Sequence, residues 1–420
     1  DRAWLPRRMR SFPAALLALL AATGCGAPEP PGSTGGTTVA PGPCGRGIGV
    51  VQTDYQSTNV SLLDWEGHVL SSSFISSATA GAKLSAKLTG DVALPTTLDA
   101  GNTLVLLDRY PASVLTWVTL ETAEVTAQLS VRSGFDANPH DYLALSAHRA
   151  LVTRFNRNPA PDALPLDRGD DVLVLDLDGP TAVSSIDLSP AMAGVPEGFR
   201  ANPHRMVLAG DRVVVTLLGK TADHSDAVAS RLAVLNAATL AVEQVLVLEG
   251  LFECNGIAVS PNSDRVAVSC SGRFGGGSEP KVSESAIAVV AIGSTVEEIA
   301  RVPASPGAPF GFGVAWAASD TVIANTFGRF SSKGGPARTD TVVEIELGGM
   351  TARTLLESAD EPFTLGDVRC GAACSTCFAS DAERGLVHRF SVDAAGRVGP
   401  PSPIQVNDAI GLPPRTLGQF

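Results

Sequence analysis

An eight-residue segment occurs twice in the chain, and it constrains the fold more than any other feature. Gly134-Phe-Asp-Ala-Asn-Pro-His-Asp141 and Gly198-Phe-Arg-Ala-Asn-Pro-His-Arg205 are identical at six of eight positions and lie 64 residues apart. Each copy is followed by four runs rich in Leu and β-branched residues, at 142–145, 150–155, 172–177 and 182–188 and at 206–208, 213–218, 232–235 and 240–248. Four short strands per repeat, joined by tight turns, are typical of a propeller blade.

The same pattern extends over the rest of the chain. From residue 47 onward the apolar runs are short, are broken by Gly, Pro, Asn, Asp or Ser, and show no helical period. Blades are expected to begin near residues 90, 134, 198, 250, 308 and 362, with a seventh blade built from three strands in 47–75 and an innermost strand from 404–420. We therefore predict an all-β chain, a seven-bladed β-propeller of four-stranded antiparallel blades over 47–420, closed by its C-terminal segment. A pair of β-sandwiches is the alternative.

Two later segments carry a resemblance to known propeller repeats. Cys254-Asn-Gly-Ile-Ala-Val-Ser-Pro-Asn-Ser-Asp-Arg-Val-Ala-Val268 resembles the YVTN-type repeat, with an apolar strand, a Ser-Pro turn and a second apolar strand. Asp381-Ala-Glu-Arg-Gly-Leu-Val-His-Arg-Phe390 resembles an NHL or gluconolactonase-like blade. The resemblance implies the propeller fold and says little about chemistry.

The first residues have the features of an export signal. Arg7, Arg8 and Arg10 precede an apolar run of 11 residues, 12–22, which is too short to span a bilayer. Residues 1–24 are therefore predicted to be a signal peptide. Ala22-Thr-Gly-Cys25 resembles a bacterial lipoprotein signal, which implies lipidation of Cys25 and a membrane anchor, and Gly26 favours the outer membrane of a Gram-negative cell, facing the periplasm or the exterior. Ordinary cleavage with Cys25 unmodified is the alternative.

The composition after this segment indicates a tethered acidic body. Residues 25–46 are dominated by Pro, Gly, Ser and Thr, which predicts a flexible tether. The net charge of the whole chain is −12, and removal of residues 1–24 takes away four Arg and one Asp. Such an acidic chain is not expected to bind nucleic acid, which requires a basic surface. We expect a monomer with a protein or glycan partner.

Six cysteines remain after Cys25, an even number that predicts disulfides in an oxidising compartment. Cys254 and Cys270 lie on a predicted hairpin that turns at Asn262, and they face each other if Val259 faces Arg265. This pairing is predicted. The other four cysteines allow three pairings, or a zinc site in which they act together: Cys44, Cys370, Cys374 and Cys377.

The long connections are predicted to share one face. In a blade, the loop that enters the innermost strand and the loop that joins the second strand to the third lie at the same end. The insertions 156–170, 219–231, 272–285 and 328–340 all join second to third strands. Long loops on one face of a rigid scaffold predict a binding surface.

Two sets of side chains on this face are candidate sites. His140 and His204 are expected near the mouth of the central channel with Asn255, Glu253 and Asp367, and such donors could bind a divalent metal ion, as in gluconolactonase-like propellers. The alternative is that Asn-Pro forms turns and the histidines bond to neighbouring blades.

The second set lies at the predicted ends of second strands. It consists of Arg109-Tyr110, Arg154-Phe155, Arg273-Phe274 and Arg329-Phe330, with Lys220 at the matching place in another blade. A ring of Arg and aromatic side chains suits the binding of carboxylate or phosphate. The alternative is that each Arg is a solvated loop residue and each Phe covers the core.

These observations favour a binding or scaffold module for a protein, a glycan or a small anion. The alternative is a metal-dependent lactonase or hydrolase at the channel mouth. No Gly-x-Ser-x-Gly elbow, His-Glu-x-x-His motif or phosphate-binding loop is present in the sequence. Catalysis is therefore left open.

Overall fold

The structure is a computed structural model that describes residues 35–420, apart from 82, 98–100, 133, 275–280, 306–307 and 331–335. The predicted signal peptide, Cys25 and the tether up to residue 34 lie outside the described residues. In the part that is described, no helix has the length and apolar character needed to cross a membrane.

The described chain is built almost wholly from short strands. In chain order they are β1 (Ile48–Thr53), β2 (Thr58–Leu63), β3 (Val69–Ser76), β4 (Val92–Ala93), β5 (Thr103–Asp108), β6 (Val114–Thr119), β7 (Val125–Ser130), β8 (Pro139–Ser146), β9 (Arg149–Arg157), β10 (Gly169–Asp176), β11 (Thr181–Asp187), β12 (Pro203–Ala209), β13 (Arg212–Leu217), β14 (Arg231–Asn236), β15 (Val242–Val247), β16 (Gly256–Val259), β17 (Arg265–Cys270), β18 (Ala286–Ile292), β19 (Val296–Pro303), β20 (Phe310–Ala318), β21 (Thr321–Thr326), β22 (Arg329–Phe330), β23 (Pro336–Arg338), β24 (Thr341–Glu346), β25 (Thr351–Glu357), β26 (Leu365–Gly371), β27 (Thr376–Asp381), β28 (Leu386–Ser391), β29 (Ser402–Gln405) and β30 (Pro414–Gln419). Single 3₁₀ turns lie at Pro165–Asp167, Ser189–Met192, Val282–Glu284 and Ala372–Cys374.

Among the described residues twenty-eight of these strands form seven four-stranded antiparallel sheets, and β22 and β23 form a separate two-stranded sheet. Blades 1 to 4 are β4–β7, β8–β11, β12–β15 and β16–β19, blade 5 is β20, β21, β24 and β25, blade 6 is β26–β29, and blade 7 is β30 with β1–β3. Neighbouring blades contact each other mainly through their first strands, which are therefore innermost. The seven-bladed propeller is confirmed, and the β-sandwich alternative is wrong.

The two ends of the chain complete blade 7 together. β30 pairs antiparallel with β1, with Ile48 opposite Gln419 and Val50 opposite Leu417. The N–H of Phe420 donates to the carbonyl of Gly47 at 3.1 Å, and the N–H of Gly47 donates back at 3.2 Å. The predicted closure by the C-terminal segment is confirmed, and it pairs the edge of β1 that would otherwise be free.

The core is divided among the blade interfaces. Seven clusters of buried apolar residues are described, and each lies between two adjacent blades. Between blades 3 and 4, for example, Val214 packs in one cluster with Val266 and Ile257. Each such buried side chain contributes about 1.5–3 kcal/mol, so stability comes from blade-to-blade contact around the ring. The packing is tight: a Cβ on Gly256 would lie 2.3 Å from the carbonyl oxygen of Phe312 in the next blade.

The predicted Cys254–Cys270 disulfide is confirmed, but the strand register differs by one residue from the expected one. Val259 pairs with Val266 and not with Arg265. Just outside the paired part of the two strands the expected alignment returns. There the N–H of Ser271 donates to the carbonyl of Glu253, which brings Cys254 opposite Cys270. Glu253 has a φ of 52°, and this left-handed residue takes up the extra position.

The other four cysteines form two more disulfides, Cys44–Cys374 and Cys370–Cys377, so the zinc alternative is wrong. The first of them attaches the end of the predicted tether to blade 6. The N–H of Thr37 also donates to the carbonyl of Leu120 at 2.6 Å. Within the described part of the tether, the structure therefore differs from a free linker, because covalent and backbone bonds hold it to the blades.

Candidate functional site

The repeated octapeptide is the entrance to two innermost strands. Asn138 and Asn202 have φ values of 49° and 47°, a left-handed conformation that Asn adopts more readily than most residues. The side chain of Asn202 accepts a bond from the N–H of Lys220 at 2.9 Å and donates to the carbonyl of Phe155 at 3.2 Å. The turn thus fixes the start of β12 against the ends of two second strands.

A cavity of about 540 Å³ opens where the innermost strands begin. Its lining comes from the first residues of innermost strands and from the residues that follow second strands, which is the face that the sequence analysis singled out. All five predicted metal-site residues line it: His140, His204, Glu253, Asn255 and Asp367. Of the predicted ligand-binding set, Arg109, Phe155, Lys220 and Phe274 line it.

The two histidines lie side by side in this cavity, with ring centroids 4.4 Å apart. Nδ1 of His204 is 2.9 Å from the carbonyl oxygen of Asn255, so Nδ1 carries the hydrogen and donates. Burial lowers the pKa of both rings well below 6.5, and the nearby charges of Arg205 and Arg109 lower the pKa values further. Both imidazoles are therefore neutral at pH 7, and Nδ1 of His140 is buried without a hydrogen-bond partner among the described residues.

The two carboxylates of the lining are already paired with cations. Glu253 lies 2.7 Å from Nζ of Lys220. Asp367 lies 2.9 Å from Nη1 of Arg369, and it accepts the N–H of Leu417 at 3.3 Å. No group of three or more His, Cys, Asp or Glu is arranged to hold a metal ion in the described ranges. With a cation beside each carboxylate, this donor set does not fit a divalent metal ion.

The positive side chains of the cavity outnumber its negative ones. Five cations line it, namely Arg109, Arg205, Lys220, Arg369 and Arg415, against the two carboxylates just described. Asp91 pairs with Arg109 from behind the lining, and Asp141 lies 3.9 Å from Arg205. Even with these two included, the cations exceed the carboxylates by one.

Arg205 is largely enclosed, with 14% of its side chain exposed. Its Nη1 donates to the carbonyl of Leu94 and to the hydroxyl of Thr96, at 3.2 and 3.3 Å. Burial lowers its pKa, and Arg369 and Arg109 act in the same direction against Asp141. Nε and Nη2 of Arg205 have no hydrogen-bond acceptor among the described residues.

Two further guanidinium groups have free donors. Nε of Arg369 is buried and unpartnered in the described chain. Arg415 donates from Nε to the carbonyl of Thr53 at 3.1 Å and lies over the ring of Tyr55. No described carboxylate lies within 4.0 Å of Arg415. Unsatisfied charged donors in an enclosed site are costly unless a ligand or water supplies acceptors.

The predicted ring of Arg–aromatic pairs is not assembled as a ring. Arg154 is 1% exposed and forms a two-bonded ion pair with Asp171 at 2.8 and 2.6 Å, because β9 continues past it to Arg157. Arg273 pairs with Glu284 at 2.7 Å and with Asp226.

The remaining members of that set also lie apart from the cavity. Arg329 and Phe330 form the exposed strand β22 and do not line the cavity. Tyr110 is exposed as well and does not line it. Of the four predicted Arg, only Arg109 reaches the cavity.

Aromatic side chains form one side of the cavity. Phe274, Phe312, Phe327 and Phe363, here called the phenylalanine wall, come from blades 4, 5 and 6 and line it together. The ring of Phe327 lies 5.0 Å from Phe312, 5.2 Å from Phe363 and 6.3 Å from Phe274.

A buried carboxylate holds this wall in place. Asp340 is fully buried, and its oxygens accept the N–H groups of Gly328 and Phe363 and of Thr364 and Leu365, at 2.5 to 2.9 Å. These four bonds join the loop after β21 to the entrance of β26, so they set the position of Phe363 at the cavity.

Sequence reasoning missed Arg205, Arg369 and Arg415, as well as three of the four wall residues. Arg205 had a usable signal, since it ends the second octapeptide at the position where the first copy has Asp141. Arg369 and Arg415 also lie in innermost strands, β26 and β30. The phenylalanines come from three different blades and share no motif.

Comparisons with known proteins show the fold. The sequence matches no protein family and no curated protein. The β-propeller domain of Cps50 (Swd1) from Myceliophteria thermophila is 12% identical, with a TM-score of 0.55 over 83% of this chain and 97% of that chain. A protein from Lactobacillus plantarum is 12% identical, with a TM-score of 0.55 over 89% and 98%.

A third similar structure is the periplasmic gluconolactonase PpgL of Pseudomonas aeruginosa. It is 14% identical, with a TM-score of 0.50 over 89% of this chain and 98% of that chain. Similarity at this level carries information on fold and not on activity. By fold, the chain is a seven-bladed β-propeller with a periplasmic gluconolactonase among its structural neighbours.

Proposed function

We propose that the protein is an exported, lipid-anchored binding module that holds an anionic ligand in its central cavity. The observation that carries the proposal is the excess of guanidinium donors there. Arg205, Arg369 and Arg415 line the cavity with N–H groups that no described residue accepts. In a chain of net charge −12, such a cavity is a local site of positive charge. Arg is the side chain best suited to a carboxylate or phosphate.

The export and the lipid anchor in this proposal are supported by the sequence of residues 1–25 and by the three disulfides, which form in oxidising compartments. Expression of the full chain in a Gram-negative host with labelled palmitate tests this part. The label is expected on the wild type and not on Cys25→Ser. Equal labelling of the two proteins would refute lipidation at this residue.

The ligand part is tested by calorimetric titration with organic anions at low ionic strength, using gluconate, citrate and naphthalene-1-carboxylate. Arg415→Gln is the informative variant because Arg415 has no described carboxylate partner, so its loss strands no buried charge. Removal of one charge-assisted bond is expected to weaken binding about 10- to 100-fold. Arg149→Gln, at the exposed start of β9 and outside the cavity, is the matched control. Equal affinities of the two variants would contradict the proposal.

An enzyme that hydrolyses a lactone to an organic acid is the second candidate. It is favoured by the neutral pair His140 and His204, since a neutral imidazole can take a proton from water. The gluconolactonase of similar fold adds only an analogy. Hydrolysis of glucono-lactone by the wild type, lost in His140→Gln and unaffected by a chelator, would support this candidate. If the wild type hydrolyses glucono-lactone no faster than His140→Gln does, this second candidate is rejected.

A further inference from the structure

The phenylalanine wall is more exposed than an apolar cluster of this size normally is. Phe312 is 48% exposed and Phe274 is 41% exposed, although their rings contact Phe327 in a continuous cluster. Contiguous exposed apolar surface in a concave site is typical of a ligand-binding pocket. The wall therefore provides a surface that an apolar group would cover.

The polar groups of the same cavity offer little to a ligand rich in hydroxyl groups. Asn325 donates to the carbonyl of Leu365 at 2.9 Å and accepts the N–H of Gly313 at 2.8 Å. The hydroxyl of Thr96 accepts from Arg205, and Glu253 is bound to Lys220. Because these groups are already bonded within the protein, the donors left for a ligand are mainly the guanidinium N–H groups.

Three of the four wall residues lie nearer the mouth than Arg205 and Arg369. Phe274 and Phe327 follow second strands, and Phe363 precedes β26, so these three lie at the mouth. Arg369 is the fifth residue of β26 and lies further along the innermost strand. Arg205 is the third residue of β12 and is largely enclosed. A ligand would meet charge at the inner end and phenyl rings at the outer end.

We propose that the ligand is an organic acid with an aromatic or other apolar body. Its charged group binds Arg205, Arg369 and Arg415, and its body lies against the phenylalanine wall. This inference rests on the proposed function, because it names the class of anion that the cavity selects. The cavity volume of about 540 Å³ lies within the range of small-molecule sites.

The test compares three probes by calorimetric titration. Naphthalene-1-carboxylate has the charge and the body, gluconate has the charge with a polar body, and naphthalene-1-methanol has the body without the charge. Naphthalene-1-carboxylate is expected to bind at least about tenfold more tightly than either of the others. Octanoate, as a fourth probe, distinguishes an aromatic body from an alkyl one.

Variants separate this inference from the proposed function. Phe312→Ala is expected to weaken the binding of naphthalene-1-carboxylate about tenfold and to leave the affinity for gluconate unchanged. Arg415→Gln is expected to weaken the binding of both probes. Since Phe312 is half exposed, its truncation leaves no buried void, and Phe274→Ala provides a second variant of the same kind. Ile299→Ala, 50% exposed on the outermost strand β19, is the control.

Two results would overturn the inference in different ways. If gluconate binds as tightly as naphthalene-1-carboxylate and depends on Arg415, the apolar-body inference fails and the anion-binding function stands. If naphthalene-1-methanol binds as tightly as the acid and Arg415→Gln has no effect, the proposed anion-binding function fails as well.

Discussion

Asp340 offers the sharpest test of how the cavity wall is held. Its two carboxylate oxygens accept four backbone N–H groups, two on each oxygen, and the side chain is fully buried. In Asp340→Asn one oxygen becomes an NH₂ group, which faces two N–H donors and can accept from neither. Two charge-assisted bonds are therefore lost, at about 1.5–3 kcal/mol each, so we expect a loss of about 3–6 kcal/mol.

Two measurements check this prediction. Urea unfolding followed by circular dichroism gives the loss of stability, with the exposed Asp408→Asn as the control for loss of one negative charge. Hydrogen exchange gives the local effect, because the amides of Phe363, Thr364 and Leu365 should lose protection in Asp340→Asn. A change in stability below about 1 kcal/mol, with protection retained at these amides, would refute the reasoning.

Three further outcomes are expected. Replacing both Cys254 and its partner by Ser should lower stability by about 3 kcal/mol, the chain-entropy value for a loop of this length, and an unchanged urea midpoint would contradict this. Arg154→Met should cost about 3–5 kcal/mol because it leaves Asp171 buried without its cation, and adding Asp171→Leu should recover most of that loss; no recovery would show that packing, and not charge, is responsible. His140 and His204 stay neutral when folded but take up protons below about pH 6.5 when unfolded, so the unfolded chain binds more protons and stability falls as pH falls. Between about pH 6.5 and 5.5 this contribution is about 2 kcal/mol, measured as the extra pH dependence of the wild type over His140→Gln/His204→Gln; identical pH profiles would refute it.

The blade pattern was predictable because it is local. The two octapeptides mark the entrances of β8 and β12, and turn residues separate the later strands, so blade boundaries follow from neighbours in sequence. The register of β16 and β17 was not predictable, because the left-handed φ of Glu253 shifts it by one residue and no composition rule places such a residue at a Glu.

The site was predictable in its location and only partly in its members. The face follows from loop lengths, and His140 and His204 follow from the octapeptides. Arg154 was misplaced because the pattern does not show that β9 runs on to Arg157, which buries the guanidinium against Asp171. The phenylalanine wall forms only when three blades meet in space.

The Cys44–Cys374 bond changes how the ring would bear mechanical load. Without it, tension on the segment before Cys44 would reach β1 directly, and β1 and β30 would separate one hydrogen bond at a time. Because Cys44 is joined to a residue 330 positions later, part of that tension passes into blade 6 through a covalent bond before it reaches β1. The force is then shared by two neighbouring blades, and the pairing of β1 with β30 is not the only contact that carries it.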